Sequence, residues 1–285
     1  MNKLLTTVLA CTMGLQFSCG PALQEIKQIT QKENNRLEQV IVNNINNLAE
    51  SVYCIKTKAE YNFNNENKTI QGTGTGFVYK VNNNHSYIIT NAHVVNFPET
   101  ILDFDINSGL KLYSKNSEKI NIIDNIRDSN PADDIPLELV IMNTELDIAI
   151  LRTPSKLKKS NKFIVDPTIN PIPGETAYLI GYHLGYFKGI SKGIVANPAV
   201  GFTIAKDREK HFIIFDISGD RGSSGGPYFI QRENKLYWVG TNCVKLSADG
   251  FMGGVHISEY KDMLAFNPDL ILPDENIINN GKPNG

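Results

Sequence analysis

From Ser51 onward the chain is a succession of short β-prone runs separated by Asn, Gly and Pro turns, and this rhythm limits the fold more than any other feature. The runs fall at 51–58, 76–81, 87–90, 148–152, 176–181, 212–217, 236–242 and 254–257. Short runs with turn signals between them read as an all-β barrel or sandwich. With 285 residues there is enough chain to bury a full core in one large or two fused β-domains. Hydrophobic content of 41% and charged content of 20% place it among ordinary globular proteins.

Ahead of Ser51 the texture changes. Leu37, Ile41, Ile45 and Leu48 recur at steps of three and four with Asn, Glu and Gln between them, which predicts an amphipathic helix within residues 20–50. Such a helix either packs on the β-rich body or serves as a spacer or an oligomer contact. Residues 258–266 fit a short closing helix, and 267–285 read as a loose C-terminal tail.

The start of the chain resembles an export signal. Met1-Asn2-Lys3 supplies positive charge, and Leu4 to Phe17 is mildly apolar but too short to span a bilayer. Cys11 and Cys19 both stand where a lipid-bearing cysteine belongs; Cys19 leaves an apolar region of normal length and is preferred. Residues 1–19 are therefore read as a signal peptide of lipoprotein type, with a plain cleaved secretory signal as the alternative. The expected location is the bacterial cell envelope, the periplasm or the outside, with membrane contact only through acyl chains. Cys54 and Cys243 remain for the folded part. Export permits a disulfide between them, but their strand-like apolar surroundings fit two buried thiols as well. A net charge of −2 gives no general attraction to nucleic acid, and no nucleic-acid partner is expected. The basic stretch 156–162 is local and reads as a solvated loop.

Chemistry concentrates in Gly219-Asp220-Arg221-Gly222-Ser223-Ser224-Gly225-Gly226-Pro227. A turn this rich in glycine can project a serine hydroxyl and converge amide N–H groups beside it. Ser224 is the candidate nucleophile, and the amides of Gly222 and Ser224 are the candidate oxyanion donors. Two partners lie upstream. His93 follows the apolar run Tyr87-Ile88-Ile89, and Asp147 opens the apolar run Ile148-Ala149-Ile150-Leu151. A carboxylate there is costly to bury unless paired, and orienting an imidazole is one such pairing. His85, His183, His211 and His256 are read as structural or exposed. No HxxxH, HxH or paired CxxC spacing occurs, so no metal and no cofactor is expected. The run Gly72-Thr73-Gly74-Thr75-Gly76 leads into a strand pattern, where a phosphate loop needs a helix.

In this order, His93, Asp147 and Ser224, the residues resemble the trypsin-like serine proteases, and within them the HtrA/Deg branch. The likeness rests on Gly74 to Val78 with Thr90-Asn91-Ala92-His93-Val94-Val95, on Asp147 to Leu151, on Gly174 to Val195, and on Asp216 to Pro227. Gly253 to Ser258 is a weaker match. The resemblance covers roughly residues 50 to 265. It implies two six-stranded antiparallel β-barrels over 51–266, with His93 and Asp147 on the first and Ser224 on the second. It also implies a serine endopeptidase acting on unfolded or misfolded proteins, with Ser218 and Val255 at the substrate pocket and oligomerisation possible. An uncharged Ser218 at the pocket base argues for apolar rather than basic side chains. The alternative is a catalytically weak surface lipoprotein that binds or chaperones. Three departures stand out. Ser223 replaces the usual Asn (Asp in digestive relatives), so activation by a cut N-terminus is not expected. Little chain follows Tyr260, so no PDZ domain is expected. Residues 96–146 are longer than usual and polar, as a surface excursion would be.

Overall fold

The computed structural model describes residues 20–82, 84–106, 109–123, 134–205, 208–246 and 250–265. The signal segment with Cys11 and Cys19, and the tail 267–285, lie outside the described residues. Helix α1 runs Gly20–Ala49. Ile41, Ile45 and Leu48 form its buried stripe, while Val40 and Val42 are exposed. The segment up to Ile45 is a compact unit of its own, and the rest of the chain forms the second. The helix stops where the Ser51 N–H and hydroxyl both donate to the Leu48 carbonyl, at 2.9 and 2.7 Å. Among the described residues no helix is long and apolar enough to cross a membrane.

The second unit is built from two antiparallel sheets, as the turn-punctuated sequence requires. The first contains β1 (Val52–Phe63), β2 (Glu66–Val81), β3 (Ser86–Thr90), β4 (Thr100–Asp105), β5 (Gly109–Ile123), β6 (Ile135–Pro136), β7 (Glu138–Asn143) and β8 (Ile148–Arg152). Their order is β4-β5-β1-β2-β3-β8-β7, with β6 on β5. Asn64 and Asn65, at φ of 45° and 71°, make the β1–β2 turn; Asn tolerates that left-handed region better than most residues. The sheet curls around Ile55, Val78, Ile88, Ile122, Ala149 and Leu151.

The second sheet contains β9 (Ile164–Val165), β10 (Thr176–His183), β11 (Phe187–Ala205), β12 (Arg208–Asp216), β13 (Pro227–Arg232), β14 (Lys235–Lys245) and β15 (Phe251–His256). Pairing of β13 with both β10 and β14 closes six of these strands into a barrel, and β9 adds to β14 in parallel.

Among the described residues the sheets hold eight and seven strands, edge additions included. In the first, β4 is an added edge strand, and the run 135–143 is divided between two neighbours. The Leu137 N–H donates to Ile120 O on β5 at 2.8 Å before the chain continues along β8. The described part of 96–146 is also more regular than a polar excursion. Much of it forms the β4–β5 ribbon, whose inner face joins Tyr61, Tyr113, Phe97 and Ile101 in a satellite core.

Aromatic side chains fill the seam between the sheets. Phe77 of β2 meets Trp238 of β14 at 4.9 Å between ring centroids, and Phe163 bridges Phe77 and Phe229 at 6.3 and 5.6 Å. Burying one such apolar side chain stabilises by about 1.5–3 kcal/mol. Trp238 is fully buried, and its indole N–H donates to Gly240 O at 2.7 Å, so no polar atom is stranded there. After β15, a 3-10 turn (Ile257–Tyr260) and helix α3 (Lys261–Ala265) close the barrel.

Candidate active site

Strand β3 ends at Thr90, and Asn91 leads into a single helical turn, α2 (Ala92–Val95). Ala92, Val94 and Val95 point inward, which leaves His93 facing out with its side chain 48% exposed. The turn docks closely on β2. A Cβ on Gly74 would fall 2.5 Å from Val94 Cγ1, so any larger residue there would displace the turn that carries His93. Across from it, Asp147 closes the turn before β8 with φ at 58°, a left-handed conformation costing a non-glycine residue on the order of 1 kcal/mol. Hydrogen bonds offset that cost. Asp147 O accepts from the Asn91 side-chain amide at 2.9 Å, Oδ1 accepts from the His93 backbone N–H at 2.9 Å, and Oδ2 accepts from His93 Nδ1 at 2.8 Å. A carboxylate can only accept, so the imidazole proton sits on Nδ1 and Nε2 is the free acceptor.

A third group joins this pair. The Cys243 thiol of β14 donates to the same Asp147 Oδ2 at 2.8 Å. Burial pushes the Asp147 carboxyl up, but the hydrogen bonds and charge of His93, with the bond from Cys243, outweigh it and hold the group below its ordinary value. Burial raises the Cys243 thiol well above the usual range, and the Asp147 charge and hydrogen bond add to the rise. Lys210 of β12 is 4% exposed, with its ammonium 4.7 Å over the Phe212 ring. Burial lowers its pKa, while Cys243, Asp147 and Glu259 pull it back up.

Ser224 lies half-buried in the turn between β12 and β13. The two peptide units that carry the candidate oxyanion amides are fixed by their carbonyl ends. Arg221 O accepts from Leu184 N–H at 2.5 Å, and Ser223 O accepts from Gly226 N–H at 2.9 Å. In a trans peptide the N–H points opposite the C=O, so the directions of the Gly222 and Ser224 amides are set as well. Neither amide has a hydrogen-bond partner among the described residues. Thr75, fully buried on β2, clamps the same turn from the other sheet. Its N–H donates to Ser224 O at 2.7 Å, its hydroxyl donates to Gly222 O at 2.7 Å, and the hydroxyl oxygen accepts from Tyr182 N–H at 2.8 Å. Thr90, three residues before His93, donates in turn to Thr75 O at 2.7 Å. Gly222 has φ of 86°, and a Cβ on it would lie 2.5 Å from both Gly185 N and Tyr182 O. Only glycine fits.

Ser223 is buried and belongs to a neutral chain. Its hydroxyl donates to Asp220 O and accepts from Asn242 Nδ2 at 2.9 Å, and Asn242 Oδ1 accepts from Tyr228 OH at 2.8 Å. Asn242 also exchanges backbone bonds with Gly225 and Gly226, each 2.8 Å long. Thr75, Asn242 and Cys243 were not assigned to the site from sequence. The one signal for Thr75 and Asn242 was a polar residue within a strand-like run.

The structure thus joins His93 to Asp147 directly and places Ser224 against Thr75, one hydrogen bond from Thr90. Among the described residues His93 Nε2 and the Ser224 hydroxyl make no hydrogen bond. Ser218 is exposed, whereas Val255 is fully buried between Thr241 and Phe212 and offers no surface to a substrate. Cys54 and Cys243 are free thiols, not a disulfide. The remaining histidines are occupied elsewhere: His85 with Thr153 O, His211 with Glu259, His256 with Ser258, and His183 stacked on Phe187.

A family model described as the trypsin-like peptidase domain matches residues 74–237, more than half of the chain. The chain belongs to the trypsin-like peptidase family. Within that family it is similar to the serine protease HtrA-like proteins of Staphylococcus aureus strains USA300 and bovine RF122 / ET3-1. It is 25% identical to each over 214 residues, which is 72% of this chain and 24% of theirs. The chain therefore spans about a quarter of the length of the curated relatives it matches. Its fold is similar to that of the active form of the Rv3671c protease from M. tuberculosis. The TM-score is 0.51 at 16% identity, covering 76% of this chain and 81% of that one. A trypsin-like two-barrel peptidase domain accounts for both sheets.

Proposed function

We propose that this trypsin-like domain is a serine endopeptidase in which Ser224 attacks the peptide carbonyl. His93 Nε2 takes the hydroxyl proton and then gives it to the leaving amine. Asp147 keeps the imidazole in the tautomer with Nδ1 protonated and stabilises the imidazolium. The observation that carries this reading is the pair of fixed, unpartnered amides at Gly222 and Ser224, beside a His93–Asp147 pair whose Nε2 is free to accept. Each oxyanion donor of this kind contributes about 2.7–4 kcal/mol in comparable sites.

The substrate class is extended polypeptide, as in unfolded or misfolded proteins. From Cys243 to Lys245, β14 pairs on one side only among the described residues, leaving an edge that can take a substrate strand. Val244 on that stretch and Leu246 just beyond it are exposed, and with the uncharged Ser218 they favour apolar over basic side chains before the cut. Export, lipid attachment at Cys19 and a cell-envelope location belong to the same proposal, and the mass of the mature N-terminus tests them.

Ser224→Ala should abolish cleavage of an unfolded casein-type substrate, by roughly 10⁶ in kcat as in comparable triads, with Trp238 fluorescence unchanged. Cleavage at the parental rate overturns the assignment. A protein that uses the fold to bind without cutting is the second reading. In its favour stands the unmade bond between Nε2 and the Ser224 hydroxyl, although such bonds commonly form only when substrate arrives.

A further inference from the structure

We propose that His93, Asp147 and Cys243 form a binding site for a thiophilic divalent cation, Zn²⁺ by its chemistry, and that occupancy shuts the active site off. The consequence for activity rests on the serine protease reading above; the binding does not.

The three side chains come from α2, from the turn before β8 and from β14. Asp147 lies 54 residues after His93 and 96 before Cys243, so no ligand spacing is visible along the sequence. In space, their ligand atoms all lie within 4.8 Å of one another. Two hydrogen bonds, each 2.8 Å, converge on the single atom Asp147 Oδ2. An imidazole nitrogen, a carboxylate oxygen and a sulfur are the donor types of protein zinc sites, and three protein ligands plus a water complete a tetrahedron. Metal–ligand distances of about 2.0–2.3 Å put neighbouring donors roughly 3.3–3.7 Å apart, so the two contacts to Asp147 Oδ2 have to lengthen by somewhat over half an ångström. The half-exposed His93 has that freedom and marks the way in. Asp147 Oδ1 keeps its bond to the His93 N–H. The sulfur selects against Mg²⁺ and Ca²⁺.

Charge and protons balance. The cation meets one carboxylate and, once the thiol proton leaves to solvent, one thiolate, which together neutralise it. Lys210 faces Cys243 and Asp147; its charge opposes the cation but favours the thiolate. When Nδ1 binds the metal, its proton moves to Nε2. Nε2 then no longer accepts the Ser224 proton, which is why binding stops the reaction.

The test uses the full chain carrying Ser224→Ala, with reduced thiols, titrated with Co²⁺. A thiolate-to-cobalt charge-transfer band should appear, vanish on adding Zn²⁺ and ignore Mg²⁺. Adding Cys243→Ser should abolish the band and weaken binding at least a hundredfold, while Cys54→Ser should retain it. A missing band, or one that survives Cys243→Ser, overturns the proposal. Should Cys243→Ser not fold, X-ray absorption of the Zn²⁺-loaded Ser224→Ala chain decides: one sulfur neighbour supports the site, none overturns it. In the parent, Zn²⁺ should slow labelling by a fluorophosphonate tenfold or more, reversibly with chelator. A chain that binds Co²⁺ through Cys243 but never labels keeps the metal site and loses the proposed activity. One that labels without the sulfur band does the reverse.

Discussion

Replacing Thr75 by Val exchanges one hydroxyl for a methyl at a fully buried position. That hydroxyl donates to Gly222 O at 2.7 Å and accepts from Tyr182 N–H at 2.8 Å. Both backbone groups lose their partner, and each buried unsatisfied group costs about 1–3 kcal/mol, so the variant should be less stable by roughly 2–6 kcal/mol. The bond from Thr75 N–H to Ser224 O remains, so the damage centres on Gly222. Glycine at φ 86° has the freedom to turn once its carbonyl is released. One mis-aimed oxyanion donor costs about 10²–10³ in kcat. Stability is read from denaturant curves of the fluorescence of Trp238, the single tryptophan, and kcat and KM from cleavage of a reporter peptide. The loss should fall on kcat, because the oxyanion exists only in the transition state. Thr75→Ser, which keeps the hydroxyl, should recover most of it. A Thr75→Val protein with kcat within about threefold of the parent, assayed well below its unfolding midpoint, would refute the reasoning.

Gly222→Ala should lose both stability and probe reactivity, since its Cβ would lie 2.5 Å from two backbone atoms; near-parental labelling would contradict the turn geometry. Asp147 has a folded-state pKa below its unfolded value of 3.8, so its stabilisation is full above that value and disappears as pH falls through the lower folded value. Acid unfolding of Asp147→Asn should show a shallower pH dependence in that window, and an unchanged slope would contradict it. With Cys54 and Cys243 free, alkylation of the unfolded, unreduced protein should modify both. Protection that only a reductant removes would show a disulfide.

The all-β class was legible because turn residues punctuate runs too short for most helices, and the α1 stripe because Ile41, Ile45 and Leu48 keep helical spacing. The sharing of 135–143 between β5 and β8 was not, since it is a long-range matter. The ribbon was missed for another reason. Leu102, Phe104, Leu110 and Leu112 alternate with polar residues as a strand should, but the Asn, Asp and Lys around them read as loop. At the site, motif residues mark His93, Asp147, Gly222 and Ser224. Thr75 and Asn242 show only as polar residues in strand-like runs and Cys243 shows nothing, because their roles exist only once β2 and β14 meet the turn. Val255, placed at the pocket by family resemblance, is fully buried between its strand neighbours.

Labelling with a fluorophosphonate probe, with the adduct mapped by mass spectrometry, tests the central claim most directly. The account predicts a single adduct on Ser224 in the parent, lost in His93→Ala and strongly slowed in Asp147→Asn. A folded parent that stays unlabelled, or an adduct that forms equally fast without His93, would contradict it.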